Sequence, residues 1–306
     1  MLRYDDLQVF VHTSDSGSLS AAARQLEISP AVASAALKRL ESELEVRLFA
    51  RSTRSLRLTP EGDAFLLHAR ASLRSLEEGR RLLQGGKDQI AGVLQLSAPS
   101  DFGRNLLLPW LDEFQARYPQ LSLRLLLGDR VTDLYRQPVD VAIRYGAPAD
   151  SSLVALPLAP DNRRVLCAAP GYLAERGEPR QPDDLREHNC LLYQLGGRVH
   201  DRWAFQRGRR SLTLTVAGDR VCDDADVVRR WALAGKGLVY KSWLDVAEDV
   251  RAGRLRLLLP EWQGEATPMN LLCTHRAQLT CPVTLLRAFV RERCDALLAE
   301  APWTRN

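Results

Sequence analysis

Ser18-Leu-Ser-Ala-Ala-Ala-Arg-Gln-Leu-Glu-Ile-Ser29-Pro-Ala-Val-Ala-Ser-Ala-Ala-Leu-Lys-Arg-Leu-Glu41 is the stretch on which the reading of this chain turns. Ser18 is placed to cap a helix over 19–26, and the alanines at 21, 22 and 23 let a neighbouring helix approach closely. Glu27-Ile28 is a tight connection. Ser29-Pro30 then reads as an N-cap followed by proline at the first helical position, where a missing N–H costs nothing. The next helix, over about 30–45, puts Ala33, Leu37, Leu40 and Leu44 on one buried stripe. Its other face shows Ala31, Ser34, Ala35, Lys38 and Arg39. Upstream, Leu7, Val9, Phe10 and Val11 predict a helix over 2–12, broken by Ser14-Asp-Ser-Gly17. Two short helices, a brief turn and an amphipathic helix opening with small polar residues form a helix-turn-helix pattern. In that motif the second helix presents its N-terminal residues to base edges in the major groove.

Downstream the stretch 47–57 carries Arg47, Arg51, Arg54 and Arg57 and no acid. Alternation over 51–58 suggests a short hairpin, a wing whose arginines suit the phosphate backbone or the minor groove. A solvated basic loop is the plain alternative. Thr59-Pro60-Glu61 opens a long helix over 59–88. Leu66, Ala69, Leu73, Leu76, Arg80 and Leu83 give it a heptad seam, imperfect at Arg80. About 27 residues at ~1.5 Å each exceed what one small domain needs. The seam predicts a dimerising linker, and packing on its own chain is the alternative. A dimer would place two recognition helices on a roughly palindromic operator in double-stranded DNA.

Bulk properties bound the rest. The 306 residues are too many for one typical domain, and a 45% hydrophobic, 26% charged composition is that of an ordinary globular protein. No apolar run reaches the ~18 residues of a membrane span, and no secretory signal opens the chain, so a cytoplasmic protein without membrane contact is expected. The six cysteines are scattered without a C-x-x-C pair, which predicts buried thiols, with no zinc site or disulfides. Cys222 is the one candidate for a redox role. The five histidines have no metal spacing, and no nucleophile elbow, P-loop or G-x-G-x-x-G is present. Neither an enzyme nor a cofactor is expected.

After Gly92, strand and helix patterns alternate. Strands are expected at 93–97, 121–127, 139–144, 165–169 and 269–273, with helices at 104–118 and 282–298 and with Leu107, Leu108, Leu111 and Phe114 facing inward. Ligands in such sheets sit beyond the C-terminal strand ends, where helix N-termini point. Two places fit. Ala98-Pro-Ser-Asp-Phe-Gly103 offers Ser100, Asp101 and Phe102, with free N–H groups for a carboxylate. Cys222-Asp-Asp224 offers Asp223, unless that residue is only a helix N-cap.

These residues carry a resemblance. Leu19-Ser-Ala-Ala-Ala-Arg-Gln-Leu26, Ser29-Pro-Ala-Val-Ala-Ser34, Leu37-Lys-Arg-Leu-Glu41, Arg47-Leu-Phe-Ala-Arg51 and Leu58-Thr-Pro-Glu-Gly62 resemble the N-terminal domain of LysR-type transcriptional regulators. Gly92-Val-Leu-Gln-Leu, Asp140-Val-Ala-Ile-Arg144, Leu166-Cys-Ala-Ala-Pro170 and Ala234-Gly-Lys-Gly237 extend it over nearly the whole chain. The resemblance implies an α/β multidomain protein. A winged helix-turn-helix over 1–58 and a linker or dimerisation helix over 59–88 precede an effector-binding domain over 89–306. That domain would resemble type 2 periplasmic binding proteins, with lobe I at about 92–161 and 267–306 and lobe II at about 162–266. Ser29, Pro30, Ala31, Ser34 and Lys38 would face DNA, with Arg51 and Arg54 on the wing. Ser18, Ala35 and Arg39 complete the candidate DNA-binding set. Asp129, Arg144, Lys241 and Ser242 would line or border the cleft, the two cations suiting a small organic acid. Arg144 as a structural ion-pair partner and Lys241 as a solvated side chain are the alternatives. A homodimer or homotetramer, with RNA polymerase as a further partner, is also implied. The family often carries Arg and Gln after the serine matching Ser34, where this chain has Ala35 and Ala36. Thinner base readout follows, with more reliance on phosphates and DNA shape. A solute-binding protein would leave the first ninety residues unexplained, and a scaffold would leave the basic wing unexplained.

Overall fold

The computed structural model describes residues 2–51, 56–84, 90–129, 139–146, 153–195 and 197–303. The chain divides into two compact units, Met1–Gln89 and Ile90–Asn306.

The first unit runs α1 (Tyr4–Ser16), α2 (Leu19–Gln25), α3 (Pro30–Leu44), β1 (Phe49–Arg51), β2 (Leu56–Leu58) and α4 (Pro60–Gln84). Side-chain caps open three of the helices. Ser18 Oγ accepts from the Ala21 N–H, Ser29 Oγ from Val32 and Thr59 Oγ1 from Gly62, at 3.4, 3.3 and 2.9 Å. α1 runs past the expected end at 12 and breaks within the Ser14–Gly17 stretch. The helix continues to Ser16 and stops at Gly17, whose φ of 63° supplies the left-handed C-cap. Glu27 adopts φ 54° in the turn between α2 and α3, so the motif turns without a glycine there. Leu7, Phe10 and Val11 of α1 pack with Leu37 and Leu40 of α3, with Leu48 and Phe49, and with Leu66 and Ala69 of α4. Ala23, Ala33 and Ala36 make the close α2–α3 contact with Val9. The first half of the heptad seam therefore packs on its own chain, with Leu73 against the same cluster, whereas Leu76 is 58% exposed. The side chains of Arg80 and Leu83 lie outside the described residues.

In the second unit, β3 (Gly92–Ala98), β4 (Leu121–Leu127), β5 (Val141–Tyr145), β6 (Val154–Ala159) and β16 (Met269–Cys273) form a sheet in the order β4-β3-β5-β16-β6. A second sheet, in the order β12-β8-β13-β7-β14, contains β7 (Arg164–Ala168), β8 (Cys190–Leu195), β12 (Val221–Cys222), β13 (Leu238–Ser242) and β14 (Arg256–Leu258). Strand β9 (Arg198–Val199) pairs with β8. Strands β10 (Arg202–Arg207), β11 (Arg210–Thr215) and β15 (Gln263–Gly264) make a small third sheet. The chain leaves the first sheet after β6 and re-enters it at β16, so two crossings join two lobes.

The helices of this unit are α5 (Ser100–Phe102), α6 (Leu108–Arg117), α7 (Pro170–Arg176), α8 (Ala225–Leu233), α9 (Trp243–Arg251) and α10 (Cys281–Leu298). A π-turn, Gly103–Leu107, joins α5 to α6. It widens the helix just before Pro109, which has no N–H to give, and it turns the apolar face. Leu106, Leu107, Trp110, Leu111 and Phe114 are buried, and Leu108, expected inside, is 47% exposed. One apolar cluster runs through both lobes, from Leu96, Phe102 and Ile143 to Cys167, Val239 and Trp243.

Gly62 permits a close approach in the first unit. A Cβ there would lie 2.1 Å from the Leu48 carbonyl oxygen, which also accepts from the Thr59 N–H at 3.0 Å. Gly62→Ala should cost about 1–3 kcal/mol, the range for overpacking. Differential scanning calorimetry should show the loss in the unfolding of the first unit.

Candidate functional site

Two sites emerge, one in each unit. In the first, Ser29, Pro30, Ala31, Val32, Ala35 and Lys38 stand exposed along the N-terminal two turns of α3, with Ser34 half-buried among them. Val32 was missed from the sequence; it is 51% exposed, an apolar side chain in the first turn of the helix. Ala36 is buried against α2, so only Ala35 of the two alanines belongs to this face. Arg39 is also exposed, but its guanidinium is engaged. Its Nη2 and Nε lie 2.6 and 3.2 Å from the carboxylate of buried Asp6, a bidentate pair joining α3 to α1.

Glu41 sets the hairpin against this helix. Its buried carboxylate accepts from the backbone N–H groups of Leu48 and Phe49 at 2.9 and 3.3 Å and from Arg47 at 2.9 Å. One charge of the basic stretch is thus neutralised within the fold. Arg57 is exposed on β2. Arg54 and the side chain of Arg51 lie outside the described residues.

The second site lies between the lobes. Asp129, beyond β4, accepts from the Ser100 N–H at 2.8 Å and from the Ala225 N–H at 2.7 Å, and it meets the Ser100 hydroxyl. Ser100 opens α5 in one lobe and Ala225 opens α8 in the other. Ser100 Oγ also accepts from the Ala225 N–H, at 3.1 Å. Arg144 is half-buried beside them, its Nη2 donating to Ser97 Oγ at 2.7 Å. Burial lowers the Arg144 guanidinium, and the charge of Asp129 opposes this. Arg104 reaches across to Asp224 at 2.9 Å, and Asn105 to Asp226 at 2.9 Å. Neither Arg104 nor Asn105 was anticipated, although both lie one turn beyond Ser100. Asp224, not Asp223, is the N-cap of α8, accepting from Asp226 and Val227. Asp223 is exposed.

Besides Ser100, which is itself buried, four of the expected cleft residues are packed away. Phe102 is fully buried in the shared apolar core. Lys241 is neither solvated nor open to a ligand. Its ammonium pairs with Asp101, sits 3.6 Å from Asp245 and donates to the Ala225 carbonyl at 3.0 Å. Asp101 is as deeply buried, so both belong to one interlobe ion cluster. Tyr145 joins it, donating to Asp245 at 2.6 Å. Ser242 Oγ accepts from Asn162 Nδ2 at 2.9 Å, where Asn162 also donates to the Thr267 carbonyl at 2.8 Å and so links the two crossings. Burial pushes the Asp101 carboxyl up to about 7, against the pull of Lys241. Burial alone would depress the Lys241 ammonium, but Asp101 and Asp245 outweigh it and raise it. Among the described residues no three His, Cys, Asp or Glu side chains cluster to hold a metal. No described helix is long and apolar enough to cross a membrane. None of the six cysteines is in a disulfide, and Cys222 is half-buried, its Sγ accepting from the Asp224 N–H at 3.4 Å.

Two family profiles match in sequence order. The first, a bacterial regulatory helix-turn-helix protein of the lysR family, covers residues 4–63. The second, a LysR substrate binding domain, covers residues 87–295. The chain belongs to the LysR family of bacterial transcriptional regulators. It is 32% identical over 291 residues to the HTH-type transcriptional activator AaeR of Escherichia coli K12, covering 94% of this chain and 92% of that one. It is 30% identical over 290 residues to the HTH-type transcriptional regulator DmlR of the same organism, with 94% and 93% covered. Among solved structures, CrgA, a LysR-type transcriptional regulator from Neisseria meningitidis, is 30% identical with a TM-score of 0.60, covering 96% of this chain and 98% of that one.

As a LysR-type regulator the chain joins a DNA-binding unit to a substrate-binding domain, and the buried ion cluster sits where the two lobes of that domain meet. Removing one partner of such a cluster is costly. Lys241→Met should destabilise the protein by about 3–5 kcal/mol. The loss should depend on pH. The Asp101 carboxyl, ordinarily near 3.8, holds its proton up to about 7 in the folded chain. Its contribution is therefore complete below about pH 4 and is lost as the pH rises through 7. Without the ammonium that opposes this shift, urea midpoints of the variant should fall further below the parent's at about pH 8 than at about pH 5.

Proposed function

We propose that this LysR-type regulator reads a roughly palindromic operator through α3 and responds to a small organic acid at the interlobe site. The observation that carries the DNA half is the exposed, small-residue face of α3. Ser29, Ala31, Ser34 and Ala35 project little, which suits close approach to base edges in the major groove. Val32 offers an apolar contact of the kind that meets a thymine methyl. Lys38 completes the face, directed to a phosphate, and Ser18 adds a hydroxyl at the start of α2. Arg51 and Arg54 act from the wing, and Arg39 positions α3 through Asp6. With few side chains able to make bidentate base contacts, phosphate contacts and DNA shape carry much of the affinity. Dimerisation through the later part of α4, where Leu76 is exposed, sets the half-site spacing, and a tetramer extends the same logic.

Fluorescence anisotropy tests this on the DNA upstream of the chain's own gene. Lys38→Ala and Arg54→Ala should each weaken binding across all sequences and lower the slope of log K against log salt by about 1. Equal affinity for random DNA at physiological salt would overturn the specific reading.

For the effector, the supporting geometry is the pair of helix N-termini at Ser100 and Ala225, which suit a carboxylate. Arg144 and Arg104 add positive charge nearby. A thermal-shift screen of small aliphatic and aromatic acids should give hits whose stabilisation grows as RT ln(1 + [L]/Kd). Ser100→Ala should abolish or reduce it. Hits untouched by that change would place the pocket elsewhere.

A further inference from the structure

The carboxylate seat between the lobes already holds a carboxylate, and it belongs to the chain itself. One oxygen of Asp129 accepts from the Ser100 N–H, while the other meets the Ser100 hydroxyl and the Ala225 N–H. That is the bidentate arrangement a free carboxylate would adopt between two helix N-termini. Ser100 is buried, with 1% of its surface exposed. Arg144 and Arg104 both lie close enough to feel the charge of Asp129.

We propose that Asp129 is a built-in occupant of this seat, tying the two lobes together when no effector is bound, and that a carboxylate effector acts by displacing it. The second half rests on the organic-acid reading above; the first half does not. The other interlobe ties differ in kind. In Arg104–Asp224, Asn105–Asp226 and Lys241–Asp101 the carboxylate accepts across the lobes from a side-chain donor and not from a backbone N–H. Asp129 alone among these presents to backbone N–H groups of both lobes the same chemical group that a carboxylate ligand would bring. Displacement then exchanges like for like, and a net shift requires the ligand's remaining atoms to find contacts of their own. The seat accordingly selects for anions, and neutral molecules of similar shape gain nothing there.

The test is hydrogen exchange followed by mass spectrometry on the full-length chain, read on peptides covering Ser100 and Ala225. In Asp129→Ala these amides should exchange about ten- to a hundred-fold faster, the factor for losing a hydrogen bond to a charged acceptor. Formate or acetate in excess should restore protection, and chloride at the same ionic strength should not. Asp129→Asn, which keeps the shape but not the charge, should fall between the two. Amides of β3 and β5 serve as the internal control and should not change in either variant. Unchanged exchange at Ala225 in both variants would overturn the tether. So would acceleration that no carboxylate reverses, or acceleration that spreads to β3 and β5 in both. If formate rescues Asp129→Ala while the parent chain binds no organic acid, the effector reading fails and the tether stands. If the parent binds an acid in a Ser100-dependent way while Asp129→Ala leaves exchange at Ala225 untouched, the tether fails and the effector reading stands.

Discussion

Taking an ammonium out of water costs several kcal/mol unless carboxylates meet it at close range. Lys241 is buried in the middle of the second unit, and Asp101, from the other lobe, is the carboxylate that meets it. Neither residue can be exposed or removed alone without stranding the other. The surrounding groups follow from that requirement. Asp245 supplies a second negative charge, Tyr145 donates to Asp245, and the Ala225 carbonyl takes another proton of the ammonium. Arg229 lies 2.6 Å from fully buried Asp249 on α9 and 3.9 Å from Asp101, carrying the same logic one layer further. The shared apolar cluster supplies cohesion between the lobes, whereas the ion cluster fixes how they meet, because charges tolerate misplacement far less than methyl groups do.

Much of this was legible in the sequence, and unevenly so. The helix-turn-helix was written locally. Ser18, Ser29 and Thr59 cap where their spacing said they would, and Ala33, Leu37 and Leu40 are buried as their period required. Strands β4 and β16 have the bounds expected from their apolar runs. What failed had non-local causes. Leu108 faces out because a π-turn shifts the helix by part of a turn, and no periodicity rule anticipates that. The hairpin of β10 and β11 is absent from the expectations above, although Trp203 and Phe205 on one strand and Leu212 and Leu214 on the other alternate as a half-buried strand requires.

The candidate effector site is less legible. Ser100, Asp129 and Arg144 do come together, but Lys241, Asp101, Phe102 and Ser242 are interior residues. From sequence, a lysine beside a serine at a strand end reads the same whether it awaits a ligand or is already paired. Only the fold brings Asp101, some 140 positions away, onto Lys241. Likewise the choice between Asp223 and Asp224 as the cap of α8 depends on one peptide's orientation. Asn162 and Asn105 carried no pattern, since their importance comes from joining segments 80 or more residues apart.

Glu41 has a different kind of consequence. By accepting from two backbone N–H groups at the start of the hairpin, it makes α3 and β1 one rigid piece whose internal geometry is independent of the outward-facing residues of α3. Those residues, Ala31, Val32, Ala35 and Lys38, contribute nothing to the packing beneath them. Their identity can drift at almost no cost to folding. The unit therefore separates the part of the chain that must be kept from the part that can be rewritten, and, on the proposed reading of an operator through α3, operators can diverge between relatives while the scaffold beneath that face stays the same.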